Sequence, residues 1–81
     1  MANTLGEYRV GFTFNPTGNE MVNKIKRAAA DLIDLITTID NRPGSADGTT
    51  GEIERLKALA NTHMEDAAMW AVKAVTKPPR E

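Results

Sequence analysis

Two long stretches of this sequence repeat apolar residues at intervals of three and four, and a short stretch rich in glycine separates them. In the first, Val22, Ile25, Ala29, Leu32, Ile36 and Ile39 follow one another at spacings of 3, 4, 3, 4 and 3. That is the pattern of an α-helix with one apolar face, held for about two and a half heptads. Met21, Ala28 and Leu35 lie beside this stripe and widen it. The preceding Thr17, with Glu20 three residues later, has the form of a capping box, so the helix is expected to span residues 17–40. In the second stretch, Ile53, Leu56, Ala60, His63, Ala67, Trp70 and Ala74 repeat the same spacing. Thr49 with Glu52 is again a capping-box pair, and Pro78-Pro79 cannot continue a helix, so the second helix is expected over 50–77. From Ala67 to Val75 it is apolar nearly all round, which predicts burial on most sides.

The connecting residues, DNRPGSADGTTG, carry Pro43 and three glycines and predict a loop over 41–49. Residues 1–16 are less regular, with Tyr8, Val10, Phe12 and Phe14 on alternate positions, which predicts a short extended segment. Residues 78–81 form a tail. The expected architecture is therefore a single all-α domain over 1–81, an antiparallel two-helix hairpin with a short N-terminal segment.

Size adds a requirement. A chain of 81 residues buries only about 60% of its unfolded surface, and this one has no cysteine with which to form disulfides. Two helices cannot surround each other, and both stripes are wider than one contact needs. The expectation is a homo-oligomer of packed hairpins, with Ala28, Ala29, Ala30, Ala67, Ala68, Ala71 and Ala74 allowing close approach.

Lysine and arginine number 10 against 11 acidic residues, for a net charge of −1 and a pI near 5.8. This balance argues against coating a DNA backbone. The longest apolar run, Ala67 to Val72, is far shorter than the roughly 20 residues of a membrane span. The N-terminal MANTLGEYRV lacks the apolar core of a signal peptide, so a soluble cytoplasmic protein is expected.

Chemistry has little to build on. Ser45 stands in a loop with no histidine nearby in sequence, and the single histidine, His63, lies on the second seam, the place of a core or interface group before that of a catalytic base or metal ligand. One histidine with scattered carboxylates does not make a metal site, and no cofactor is implied. Asp31 and Asp34 are three apart on the first helix, the spacing of a solvated face or of a shared cation. Trp70 is expected as a buried packing anchor whose N–H needs a partner. The protein is therefore not expected to be an enzyme. Anion binding fits better: the start of the first helix offers free N–H groups at Gly18, Asn19 and Glu20. Lys24, Lys26 and Arg27 follow, and Arg9 and the aromatics precede.

Two strings carry a resemblance. One is Phe14-Asn15-Pro16-Thr17-Gly18-Asn19 followed by Val22-Asn23-Lys24-Ile25-Lys26 and Asp31-Leu32-Ile33-Asp34. The other is Leu59-Ala60-Asn61-Thr62, then Glu65-Asp66-Ala67-Ala68-Met69-Trp70-Ala71-Val72-Lys73-Ala74-Val75-Thr76-Lys77-Pro78. Over about residues 8–78 the chain resembles the phage anti-CBASS proteins, which share a helical hairpin domain with the anti-Thoeris sponges that bind a cyclic ADP-ribose signal. The Ala-Met-Trp-Ala-Val-Lys-Ala string is its most specific part.

The resemblance implies a small all-helical hexamer that holds cyclic di- and trinucleotides without cleaving them, in the cytoplasm of an infected bacterial host. It implies an aromatic ring stacking on a base and a lysine on the first long helix reaching phosphate. Lys26 stands where that lysine is expected, with Lys24 two residues before it. Tyr8, beside Arg9, and Phe14, just before Asn15, are the two candidates for the ring. The alternatives are a sponge for a cyclic ADP-ribose signal and a purely structural helical-hairpin oligomer.

Overall fold

The computed structural model describes residues 3–13, 18–40 and 48–80. Among them the chain forms three helices, α1 (Leu5–Val10), α2 (Glu20–Thr37) and α3 (Thr49–Val75). The antiparallel hairpin of α2 and α3 is present, and α1 packs against α2 and touches α3.

The N-terminal segment is a helix where the alternation of its side chains predicts an extended strand. Its ends are both specified. Thr4 Oγ1 accepts from the Glu7 N–H at 3.1 Å while the Thr4 N–H donates to Glu7 Oε1 at 3.0 Å, a complete capping box. At the other end Gly11 turns left-handed at φ 64°, and the Phe12 N–H reaches back to the Glu7 carbonyl at 3.0 Å, a Schellman closure. Alternation over four residues does not distinguish a strand from a turn of helix, and the caps decide. A six-residue helix is not stable alone, so packing must hold it. Gly6 lies directly on the Ala30 backbone, where any Cβ would collide with the Ala30 carbonyl. The Gly6 N–H donates to Asp34 Oδ1 at 2.7 Å, so a carboxylate on α2 caps the N-terminus of α1.

Helix α2 is capped by Asn19, not Thr17, which lies outside the described residues. Asn19 Oδ1 accepts from the N–H groups of Met21 at 2.8 Å and Val22 at 3.2 Å. At its far end the orphan carbonyls of Thr37 and Ile39 receive the Lys57 ammonium from α3, at 3.4 and 2.8 Å. Helix α3 is capped by the backbone of Gly48 with no side-chain bond. The helix thus starts at Thr49, with the Glu52 N–H donating to the Gly48 carbonyl at 3.1 Å and the Glu52 carboxylate paired with Arg55 at 2.7 Å.

The buried apolar residues are Val22, Ala29, Ala30, Ile33 and Ala68, and Ile33 is the largest side chain fully withdrawn from water. The inner face of α3 is not the stripe that the sequence predicts. Ile53, Lys57, Asn61, Met64, Ala68 and Val72 face the hairpin, while Leu56, Ala60, His63, Ala67, Trp70 and Ala74 face away. Both stripes have helical 3–4 spacing. The register places Lys57 on the C-terminus of α2, and that selects the more polar stripe. On α2, likewise, Val22 and Ala29 are buried but Leu32 and Ile39 remain exposed.

The result is a flat body of 58 × 33 × 13 Å. Its radius of gyration is 15.8 Å, where a compact chain of this length would have about 12 Å. Thirteen ångströms is little more than one layer of helices, so the apolar stripe on the outer face of α3 has no cover among the described residues.

Candidate ligand groove

Three elements meet where the C-terminal end of α1 approaches the middle of α3. Arg9 and Val10 come from α1, Lys26 from α2, and Thr62, His63, Glu65, Asp66, Ala68, Met69 and Val72 from α3. Together they line an open groove of about 680 Å³, within the size range of small-molecule sites.

Each polar group in it has a definite setting. Lys26 is 7% exposed, and its ammonium donates to the Gly11 carbonyl at 2.9 Å, tying α2 to the C-terminal end of α1. Arg9 reaches across to Glu65 at 3.3 Å, closing α1 onto α3. Asp66 Oδ1 accepts from the Trp70 indole N–H at 3.1 Å. Trp70 is therefore not a buried anchor: it is 55% exposed, with the Lys73 ammonium 5.1 Å from its ring. Helical spacing places Asp66 and Lys73 on either side of Trp70 on one face, so the plate is held in a fixed orientation.

A second, more open depression of about 870 Å³ lies against Phe12, Thr13, Gly18, Asn23, Lys24, Arg27, Ala28 and Asp31. Arg27 is its hub. It pairs with Glu7 at 2.7 Å and Asp31 at 2.7 Å and stands 4.6 Å from the centre of the Phe12 ring. The Arg27 hydrogen bond, aided by the Thr4 N–H, holds the Glu7 carboxyl below its usual range, and Glu7 and then Asp31 raise Arg27 in return. Asp31 and Asp34 thus each have a protein partner, one an arginine and one a helix N-terminus.

The predicted site residues are divided by this geometry. Arg9 and Lys26 come together in the groove. Lys24 lines the second depression. Tyr8 is 76% exposed and outside the groove lining. Phe14 and Asn15 lie outside the described residues. At the start of α2, Asn19 Oδ1 takes the N–H groups of Met21 and Val22, and Arg27 is paired with Glu7 and Asp31. The polar row on α3, Thr62, His63, Glu65 and Asp66, is the part of the site that the sequence pattern does not reveal. Its members become one wall only when α1 lies against them.

No helix of the described residues is long and apolar enough to cross a membrane, and no group of three or more histidines and carboxylates among them could hold a metal ion. No curated protein and no solved structure matches the chain significantly. A family model described as Acb2/Tad1, hairpin domain, matches residues 7–76 and so spans α1, α2 and α3 almost completely. That family comprises the anti-CBASS and anti-Thoeris sponges and implies a phage sponge for cyclic nucleotide signals. The long hairpin, the docked N-terminal helix and the match across both make this chain a member of the Acb2/Tad1 hairpin-domain family.

Proposed function

We propose that the protein sequesters cyclic di- or trinucleotide immune signals, without cleaving them, in the cytoplasm of an infected bacterial host, and so keeps CBASS effectors inactive. The observation that carries this reading is the convergence of Arg9 and Lys26 on one groove of about 680 Å³ in a chain of this family. Both side chains are donors only, and each is satisfied internally by an oxygen: Lys26 by the Gly11 carbonyl, Arg9 by Glu65. A phosphate would compete for both with a charge-assisted contact, stronger than the neutral carbonyl bond it replaces.

The assembly proposed is a homohexamer. The exposed seam of Leu56, Ala60, His63, Ala67, Trp70 and Ala74 supports self-association, because a heptad stripe on a one-layer body can be covered by another copy. Each groove would then be walled on its open side by a neighbouring protomer.

Isothermal calorimetry with cyclic GMP–AMP, cyclic di-AMP, a cyclic trinucleotide, cyclic ADP-ribose and linear dinucleotides tests the reading. Heat with a cyclic nucleotide and none with the linear controls is expected, followed by recovery of the intact ligand after heat denaturation. A panel without any heat refutes it. Linear products in the released fraction would make the protein an enzyme. Binding confined to cyclic ADP-ribose would assign it to the Thoeris branch, which the same family model covers.

A further inference from the structure

The groove has two chemically unlike walls. Arg9 and Lys26 present only donors, whereas Glu65 and Asp66 on α3 present only acceptors when ionised. A ligand lying across it must offer an anion to one wall and hydrogen-bond donors to the other. Glu65 is already matched by Arg9 at 3.3 Å. Asp66 is in a different position. Its Oδ1 takes the Trp70 indole N–H at 3.1 Å, which orients the carboxylate, and it forms no ion pair among the described residues. An oriented, exposed carboxylate with unused lone pairs is an acceptor available to a ligand.

On the sponge reading above, the ligand's donors are on its bases or its ribose hydroxyls. The Watson–Crick edge of guanine carries two adjacent donors, N1–H and the 2-amino group, which match the two oxygens of a carboxylate. Adenine carries one donor beside the N1 acceptor, and that lone pair would face the carboxylate. Met69, three residues after Asp66 on the same helix, lines the same groove and supplies a polarisable side chain for a ring face. We propose that Asp66 reads guanine, so that the groove prefers guanine-bearing cyclic nucleotides to all-adenine ones, with Arg9 and Lys26 on the phosphate side.

The test is calorimetry of the full chain and of Asp66→Asn with cyclic GMP–AMP, cyclic di-AMP, cyclic IMP–AMP, which lacks the 2-amino donor, and 2′-deoxy cyclic GMP–AMP. Asn keeps an oxygen for Trp70 but replaces an acceptor with a donor. The wild-type chain is expected to bind cyclic GMP–AMP about tenfold or more tightly than cyclic di-AMP, as a two-bond base contact allows. Cyclic IMP–AMP should fall between them. Asp66→Asn should lose most of that preference, weakening the guanine ligand while leaving cyclic di-AMP unchanged or tighter. Far-UV circular dichroism on the variant confirms that it is folded. Equal wild-type affinity for cyclic di-AMP and cyclic GMP–AMP, or an Asp66→Asn profile identical to wild type, overturns this inference and leaves the sponge reading intact. A loss confined to the 2′-deoxy ligand makes the ribose hydroxyl the donor and also overturns it. No binding by any cyclic nucleotide overturns the sponge reading together with it.

Discussion

Replacing Gly6 with alanine should detach the N-terminal helix and reduce the stability of the whole chain. A Cβ at Gly6 would overlap the Ala30 carbonyl oxygen and lie 2.7 Å from the carbonyl carbon and 2.9 Å from Cα of Ala30, where ordinary contact is 3.4–4 Å. The obstacle is helix backbone, which cannot rotate aside, so α1 must retreat by something near an ångström. Overpacking of this kind costs about 1–3 kcal/mol. The same retreat stretches the Gly6–Asp34 bond of 2.7 Å, the Glu7–Arg27 pair of 2.7 Å and the Lys26–Gly11 bond of 2.9 Å. The first and last of these join backbone to a charged group, so the cost lies toward the upper end of that range. A loss of about 2 kcal/mol lowers Tm by roughly 8–16 °C in a domain of this size. Because α1 has 6 residues against 18 and 27 in the other helices, its melting should remove about a tenth of the helical ellipticity. Thermal melts followed by circular dichroism at fixed protein concentration measure both. The control is Gly51→Ala in α3, where an added Cβ meets nothing within 4 Å. It should raise stability by about 0.5–1 kcal/mol through helix propensity. If Gly6→Ala melts at the wild-type temperature with full ellipticity, the close docking of α1 on Ala30 is wrong.

Three further outcomes follow from other residues. Asn61 is 6% exposed, and its side-chain oxygen has no hydrogen-bond partner among the described residues. Asn61→Leu should therefore stabilise the chain by about 1 kcal/mol, since an unsatisfied buried acceptor is removed, and a lower Tm than wild type would contradict it. Lys26→Met keeps the buried stem but removes the charge, so on the proposed function calorimetry should show affinity for a cyclic nucleotide reduced about tenfold or more while light scattering gives the same molar mass as wild type. Unchanged affinity would remove Lys26 from the site. Glu7 has its folded value pulled below the ordinary 4.5 by Arg27, so its pairing stabilises the protein above about pH 4.5 and is lost as pH falls through the folded value. Glu7→Gln should flatten part of the fall in Tm on acidification. Part should remain, because Arg55 lowers Glu52 in the same sense.

Half of the groove is legible in the sequence. Arg9 and Lys26 stand out as cations near aromatic residues, and their chemistry suits a phosphate. The opposite wall does not stand out, since Thr62, His63, Glu65 and Asp66 sit on an ordinary helix face and become a wall only when Arg9 and Val10 lie across from them. Lys24 shows the converse: two residues from Lys26 in sequence, it faces another depression, because two steps along a helix turn a side chain by about 200°.

What the sequence determined by itself is the long hairpin. Apolar spacing of 3 and 4 over two long stretches, with Pro43 and glycines between them and Pro78-Pro79 after, admits little else. Short-range chemistry also specified α1, through the Thr4–Glu7 box and Gly11, although six residues are too few for periodicity to register. Tertiary structure alone decided which stripe of α3 turns inward. Two stripes of equal spacing compete there, and the winner carries Lys57 and Asn61 because Lys57 satisfies the C-terminal carbonyls of α2. That choice leaves Leu56, Ala67 and Trp70 outside, and it brings Arg9, Lys26 and Asp66 to one groove. Hydrophobic periodicity ranks faces by the apolar area they can bury, but a hairpin register is set by the sum of packing and of backbone groups left without partners.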